Sequence, residues 1–197
     1  KAVFVGFVMV VLLYKFDYLR KMNYFLMLIV LMAVLSLLTF FFLDNEFLML
    51  MSIRRAFFLP NFLDLLYFDF FNDNYMYWSE SLDTGIMTYP YAYEHSYVIG
   101  DKYFGLLEFG ANNGIISDGF MNLGMTGVAI NIILVSFYIS ILNQLNISSK
   151  FFGLFFVLIF LFASSSLTTI LLTHGGFILL LLSFFIIRNT REQMDNR

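Results

Sequence analysis

The chain contains no cysteine, only two prolines and few charged residues. The absence of cysteine excludes disulfides, thiolate metal ligands and cysteine-based catalysis. Only 13% of the 197 residues are charged and 60% are apolar, a composition far outside the range of soluble globular proteins. A net charge of -3 argues against nucleic acid as a partner, and two histidines make a zinc site improbable. An integral membrane protein is the predicted class.

Apolar runs predict an all-α polytopic membrane protein, built as a transmembrane helix bundle. The predicted spans are residues 2–14, 23–43, 120–142, 151–166 and 168–187. The last two share one nearly uncharged stretch of 37 residues, too long for a single crossing of about 30 Å, so we expect a helical hairpin. Gly124 and Gly127 inside the third span predict close helix packing. We expect residues 1–197 to be the C-terminal part of one polytopic membrane domain.

The basic residues predict the orientation of these spans. Seven of them fall on one side if the helices alternate: Lys15, Arg20, Lys21, Lys150, Arg188, Arg191 and Arg197. Positive residues concentrate on the cytoplasmic side, so the C-terminus is expected inside and residues 44–118 outside. The predicted location is the bacterial inner (cytoplasmic) membrane, crossed several times.

Residues 44–118 form a long extracytoplasmic loop of a different composition. This loop contains eleven of the 14 acids and eight of the 12 tyrosines. Polar groups and irregular backbone are tolerated at the edge of a bilayer but are costly inside it. Pro60 precedes an apolar stretch and predicts a short interfacial helix. We therefore expect the functional site in this loop.

Arg54 and Arg55 are the only arginines of the outer loop. A guanidinium group presents a planar fork of donors that can bind a phosphate through two hydrogen bonds. The alternative is that both arginines anchor the chain to lipid headgroups, or pair with Asp44 and Glu46. Composition weights the two interpretations about equally.

His174 lies near the expected outer bend of the hairpin, where it can donate a proton near neutral pH. A hydrogen-bonded polar residue at the helix mouth is the alternative, and for a lone histidine it is the more common case. His95 has a weaker claim. The Asn112-Asn113-Gly114 segment lets backbone amides approach a ligand, although a plain turn explains it equally well.

Three stretches resemble the C-terminal half of the Wzy-type O-antigen and capsule repeat-unit polymerases. They are Arg54–Pro60 with Tyr67–Phe71, then Ile99–Gly105 with Ala111–Gly114 and Gly119–Gly127, and finally Leu171–Gly175. The resemblance implies a metal-independent, cofactor-free membrane glycosyltransferase that acts on oligosaccharides carried by polyprenyl diphosphate. It also implies membrane lipid and a chain-length regulator protein as partners.

The resemblance also implies roles for individual residues. It assigns catalytic roles to Arg54, Arg55 and His174, which would stabilise the leaving diphosphate. Substrate binding falls to Tyr67, Asp69, Asn112, Asn113 and Gly114. A carboxylate would accept the proton of the attacking hydroxyl, and the candidates are Asp64, Asp69, Glu108 and Asp118.

Two other functions stay open. An O-antigen ligase shares the architecture and the lipid-linked donor but uses lipid A core as acceptor. A non-enzymatic transporter or flippase of lipid-linked sugars belongs to another class. Such a protein is expected to show internal repeats or charged residues within its helices, and this sequence shows neither.

Overall fold

A computed structural model describes residues 2–16, 22–80, 88–145, 147 and 151–187. Every multi-residue regular element in these ranges is a helix. The helices are α1 (Ala2–Lys15), α2 (Met22–Leu43), α3 (Phe47–Met49), a π-helical segment (Leu50–Phe58), α4 (Leu59–Phe71), α5 (His95–Phe104), α6 (Ile115–Gln144), α7 (Phe152–Phe162), α8 (Leu167–Leu172), α9 (Gly176–Leu182) and a second π-helical segment (Ser183–Ile187). The predicted all-α class is confirmed for the described residues.

Two of the described helices are long and apolar enough to cross a bilayer. They are α2, over Leu26–Leu43, and α6, over Ile115–Gln144. The stretches Phe152–Phe162 and Gly176–Ile186 are apolar but shorter. By length and composition, the two long helices indicate association with a membrane.

The chain folds into two compact units. Unit 1 comprises residues 1–56, 137–160 and 170–197, and unit 2 comprises residues 57–136 and 161–169. Each unit draws on distant parts of the sequence, and helix α6 contributes residues to both.

Unit 1 contains hydrogen bonds between polar groups of mostly apolar helices. Ser36 on α2 is fully buried, and its hydroxyl lies 2.8 Å from the hydroxyl of Ser52 in the first π-helical segment. The hydroxyl of Tyr138 on α6 donates a 2.7 Å hydrogen bond to the carbonyl of Gly176. These bonds avoid the free-energy cost of unpaired polar groups in apolar surroundings.

Helix α4 begins where the sequence predicts a short helix. It starts at Leu59 with Pro60 in its first turn, where a missing N–H costs no intrahelical hydrogen bond. Its outer face is also apolar, since Phe62 is 47% and Leu65 63% exposed. An apolar outer face is what an interfacial helix requires.

The core of unit 2 forms around the opposite face of α4. Leu63, Tyr67 and Phe71 recur every four residues and therefore lie on one side of the helix. They pack in one buried cluster with Met76 and Ile99. Burial of side chains of this size contributes about 2 kcal/mol each relative to exposure.

Helix α6 is interrupted inside the predicted span 120–142. Leu123 leaves helical dihedral angles, and Gly124 has φ 62° and ψ -147°, a conformation open almost only to glycine. The break brings Gly119 against Gly127, and a Cβ on Gly119 would lie 2.6 Å from the carbonyl oxygen of Gly127. Gly127 thus allows close packing as predicted, whereas Gly124 serves the backbone break.

The break in α6 frees backbone carbonyls that a continuous helix would use. The carbonyl of Met121 accepts the N–H of Met76 at 2.9 Å, and that of Asn122 accepts the N–H of Tyr77 at 3.1 Å. The side-chain oxygen of Asn122 accepts the N–H of Trp78 at 2.6 Å. These bonds hold a turn in which Tyr77 and Trp78 have unfavourable positive φ angles of 51° and 56°.

Candidate functional site

A histidine–glutamate pair lies at the start of helix α5. His95 is the first residue of the helix, and Glu80 approaches it from the turn at residues 77–80. One carboxylate oxygen of Glu80 contacts Nδ1 of His95, and the other accepts the backbone N–H of His95 at 2.9 Å. The first N–H groups of a helix lack partners within the helix, so a carboxylate stabilises this end. Glu80 therefore orients the imidazole and caps the helix.

Asn113 lies on the other side of the imidazole ring. Its Oδ1 is 3.2 Å from Nε2 of His95, and the asparagine is only 3% exposed. An oxygen acceptor thus faces each ring nitrogen, an arrangement that fits an imidazolium donating to both. The Nδ2 group of Asn113 is buried and has no hydrogen-bond partner among the described residues. Both ring nitrogens of His95 are engaged by the protein itself.

The pKa values of the pair move in opposite directions. Burial lowers the pKa of His95, but the hydrogen bond and charge of Glu80 outweigh it and hold that pKa above its usual value. Burial raises the pKa of Glu80, yet its contacts with His95 hold the pKa below the usual value. The side chains are only 11% and 21% exposed, so water screens the interaction incompletely. A charged pair is therefore expected near neutral pH.

An open pocket of about 440 Å³ includes this pair in its wall. Its lining combines acids, tyrosines and small hydroxyl side chains: Glu80, Tyr89, Tyr91, Ala92, Tyr93, Glu94, His95, Ser166 and Thr169. No lysine or arginine is among these lining residues. The pocket therefore offers carboxylate acceptors and aromatic surface rather than a cationic anion-binding site.

Two tyrosines of the pocket, Tyr89 and Tyr91, have raised pKa values. Burial raises the pKa of Tyr89, and the neighbouring charge of Glu80 raises it further. Burial raises the pKa of Tyr91 as well. The hydroxyl of Tyr89 donates a 2.6 Å hydrogen bond to the backbone carbonyl of Tyr93. This bond stabilises the segment that carries Tyr89, Tyr91 and Tyr93.

Helix α6 begins with a buried carboxylate network. Asp118 is 4% exposed, and one of its oxygens lies 3.1 Å from Nδ2 of Asn131 and 3.3 Å from the backbone N–H of Leu167. Nδ2 of Asn122 donates to the backbone carbonyl of Asp118 at 2.8 Å. A buried carboxylate requires such donors, so Asp118 serves the packing of unit 2 and does not line the pocket.

The three residues predicted to be catalytic lie in unit 1. Arg54 and Arg55 are exposed on the first π-helical segment and form no ion pair with a described residue, so the alternative pairing with Asp44 and Glu46 is not seen. His174 is exposed in the turn between α8 and α9, where it makes no hydrogen bond with the described part of the chain. Their catalytic roles stay predictions.

Two predicted substrate-binding residues lie on helix α4. Tyr67 is fully buried, and its hydroxyl donates a 2.7 Å hydrogen bond to the carbonyl of Ala111. Asp69 is exposed and accepts a 2.5 Å hydrogen bond from the hydroxyl of Tyr103. Burial and the carboxylate of Asp69 raise the pKa of Tyr103 to about 12. Neither residue lines the pocket.

The other three predicted ligands form the segment that enters α6. Asn112 is exposed, while Asn113 contacts His95. A Cβ on Gly114 would lie 2.8 Å from the carbonyl oxygen of Ala163, so this glycine permits close packing of two chain segments. Of these three residues, Asn113 alone contacts the candidate site, whereas Asn112 is exposed and Gly114 packs against Ala163.

Glu80 is the central site residue that the sequence does not predict, and the pocket residues Tyr89, Tyr91, Tyr93, Glu94, Ser166 and Thr169 are not predicted either. Glu80 precedes His95 by 15 residues, a separation that matches no helical or strand period. It is also one of eleven acids in its segment, so composition does not distinguish it. The usable signal was His95, because a buried histidine is commonly held by a carboxylate.

The chemistry of the site is that of hydrogen-bonding and acid–base groups. Among the described residues, no group of three or more His, Cys, Asp or Glu side chains is placed to hold a metal ion. Comparison with known proteins adds no homologue, because no family model, curated protein or solved structure matches the chain.

Proposed function

We propose that this chain is the C-terminal part of a membrane glycosyltransferase that joins polyprenyl-diphosphate-linked oligosaccharide repeat units into O-antigen or capsular polysaccharide. The observation that carries the proposal is the pocket of unit 2, where tyrosines and carboxylates surround a Glu80–His95 pair. The motif resemblance supplies the reaction class.

The pocket suits a carbohydrate because of its functional groups. Sugar hydroxyls need acceptors as well as donors, and carboxylates provide acceptors with several lone pairs. The faces of Tyr91 and Tyr93 offer apolar surface to the C–H face of a sugar ring. The small hydroxyls of Ser166 and Thr169 add short-range polar contacts.

A lipid-linked substrate must be met at a membrane, and α2 and α6 have the length and composition for this. In the proposed topology the chain crosses the inner membrane several times, with residues 44–118 outside and the C-terminus in the cytoplasm. The asymmetric distribution of basic residues supports this orientation.

In the proposed reaction, a hydroxyl of the incoming repeat unit attacks the anomeric carbon of the growing glycan. The acceptor O–H bond breaks, a new C–O bond forms, and the bond to the lipid diphosphate breaks with its electron pair moving to the phosphate oxygen. Glu80 is the proposed proton acceptor, because it is a carboxylate in the pocket wall and its contacts with His95 hold it in place. His95 and Asn113 position Glu80.

The motif resemblance assigns stabilisation of the leaving diphosphate to Arg54, Arg55 and His174 of unit 1, and this role is proposed independently of the pocket of unit 2. A guanidinium fork matches phosphate oxygens, and loss of one well-placed donor typically costs about 3 to 4 kcal/mol of barrier. Their exposure and lack of a described ion-pair partner leave the arginines available to bind an anion.

The assignment is tested by deletion of the gene followed by glycolipid electrophoresis and lipid extraction. Loss of a polymerase should leave single repeat units on the cell surface, because synthesis, export and ligation continue. Loss of a ligase would instead accumulate long glycan on polyprenyl diphosphate, and loss of a flippase would trap single units facing the cytoplasm. Either of these results contradicts the proposal.

The role of Glu80 is tested by E80Q in the same cells. The variant should accumulate in the membrane and yield single repeat units, since an amide accepts a proton poorly. E46Q is the matched control, because Glu46 is exposed and lies outside the pocket. Normal polymer length from E80Q would show that another group accepts the proton.

A further inference from the structure

We infer that the pocket of unit 2 binds a sugar residue that is uncharged or carries an amino group, and that it discriminates against uronic acids and other anionic sugars. The inference deepens the proposed function, from which it takes only that the ligand is a carbohydrate. It concerns which class of sugar the pocket accepts.

The first argument is the charge of the pocket wall. Glu80 and Glu94 contribute two carboxylates, and the only potentially cationic lining group is His95. The imidazole of His95 forms an ion pair with Glu80, so the carboxylate of Glu80 neutralises any positive charge on the ring. The carboxylate of Glu94 is exposed and makes no capping hydrogen bond to its own helix. A ligand therefore meets a net negative charge.

The second argument is the balance of hydrogen-bond donors and acceptors. Carboxylates only accept hydrogen bonds, and two of the potential donors in the wall are already used. Tyr89 donates to a backbone carbonyl, and the hydroxyl of Ser166 lies 2.7 Å from that of Thr169. The hydroxyls of Tyr91, Tyr93 and Thr169 remain as donors in the wall, and the two carboxylates are best matched by a ligand that brings donors of its own. Hydroxyl and ammonium groups do so, whereas a carboxylate or phosphate brings acceptors only.

The third argument excludes His95 as an anion receptor. It is 8% exposed, and its two ring nitrogens face Glu80 and Asn113. An anionic sugar cannot reach a free N–H of this ring without displacing one of these partners. Displacement would leave a buried polar group unpaired, which is unfavourable.

The test is a ligand-observed NMR titration of the purified protein in neutral detergent micelles. The probes are methyl glycosides of glucose, glucosamine and glucuronic acid, with the corresponding galacto series. They are matched in size and differ mainly in charge. The amino sugar should bind about fivefold more tightly than the neutral sugar, and the uronic acid about fivefold more weakly, as expected for an open and partly screened site.

The variant E94Q identifies the source of the discrimination. It should reduce the preference for the amino sugar, while E46Q, the same change at another exposed N-cap glutamate, should leave it unchanged. Equal or tighter binding of the uronic acid would overturn the inference, as would failure of all six glycosides to bind. Neither result alters the gene-deletion phenotype, so failure of this inference is distinct from failure of the polymerase assignment.

Discussion

The two membrane-length helices differ in what surrounds them. In α2, 6% of the residues in the apolar window are buried inside the protein, whereas in α6 the share is 33%. The polar side chains of α6 include Asp118, Asn122 and Asn131, and all three are buried. Both helices satisfy the same test of length and composition. The comparison shows that such a test finds a helix of spanning length and does not tell whether lipid or protein covers it.

The polar residues of α6 explain its different role. Met121 and Asn122 of α6 accept hydrogen bonds from backbone N–H groups of residues 76–78, just before Glu80. The segment that precedes α6 places Asn113 against His95. A helix that positions a site through buried polar side chains loses stability when one of these side chains is removed. Most of the apolar window of α2 is not buried inside the protein, so single changes on its exposed surface should be tolerated.

The largest difference between the helices is expected for their buried polar residues. The D118A substitution strands the backbone N–H of Leu167 and removes an acceptor of Asn131, so we expect a loss of about 3 kcal/mol of stability. The S36A substitution on α2 should cost about 1 kcal/mol, because its partner Ser52 keeps another acceptor, the carbonyl of Leu48. Unfolding of the two variants in detergent measures both losses of stability. Equal losses would show that the buried polar residues of α6 and α2 contribute alike.

The next effect concerns the break in α6. The G124A substitution forces a side chain into a positive-φ conformation, with its Cβ 2.7 Å from the hydroxyl of Tyr75, and should cost about 2 kcal/mol. Gly105 also has positive φ, but nothing lies within 4 Å of its Cβ position. The G105A substitution should therefore cost about 1 kcal/mol from backbone strain alone. If G124A is neutral, the helix continues through this position.

A smaller effect separates the apolar surfaces of the two helices. Val128 on α6 is 8% exposed and Val30 on α2 is 60% exposed. V128A removes buried methyl groups and should cost about 1.5 kcal/mol, whereas V30A should fall within the error of an unfolding measurement. A comparable loss at Val30 would place a protein contact on the outer face of α2.

Sequence patterns predicted the helical class of the described residues and the extent of α2, but not the extents of the later helices. The predicted spans 151–166 and 168–187 correspond to α7, which ends at Phe162, and to α8 and α9, which the turn at His174 separates. Helix α2 covers the predicted span 23–43, and α4 begins at the predicted proline. Both rest on local properties, namely an uninterrupted apolar run and the conformational preference of Pro60. The interruption at Gly124 was not predicted, because a glycine in an apolar helix is equally compatible with close packing.

The candidate site was less predictable because it depends on contacts between distant residues. Glu80 and His95 meet only because the turn before Glu80 bonds to the broken end of the first part of α6. That turn uses two consecutive non-glycine residues with positive φ, which no sequence pattern indicates. Asn113 belongs to a segment that the sequence predicts to bind substrate, and its contact with His95 follows from the fold alone.

The smallest predicted effect is a pH dependence that originates in the site and not in α2, which has no titratable residue in its apolar window. The raised pKa of His95 adds stability below its unfolded value of about 6.5, and this is lost as pH rises through the folded pKa. The lowered pKa of Glu80 adds stability above its unfolded value of about 4.3, and this is lost as pH falls through the folded pKa. Both contributions are complete between about pH 4.3 and 6.5, so the melting temperature in detergent should be highest there.

The E80Q variant tests this pH dependence. Charges at Glu94 and Asp118 also act on the pair and are unchanged in E80Q, so flattening of the melting-temperature profile in this variant can be assigned to the pair itself. The E46Q control should retain the maximum, and an unchanged maximum in E80Q would show that other groups produce it.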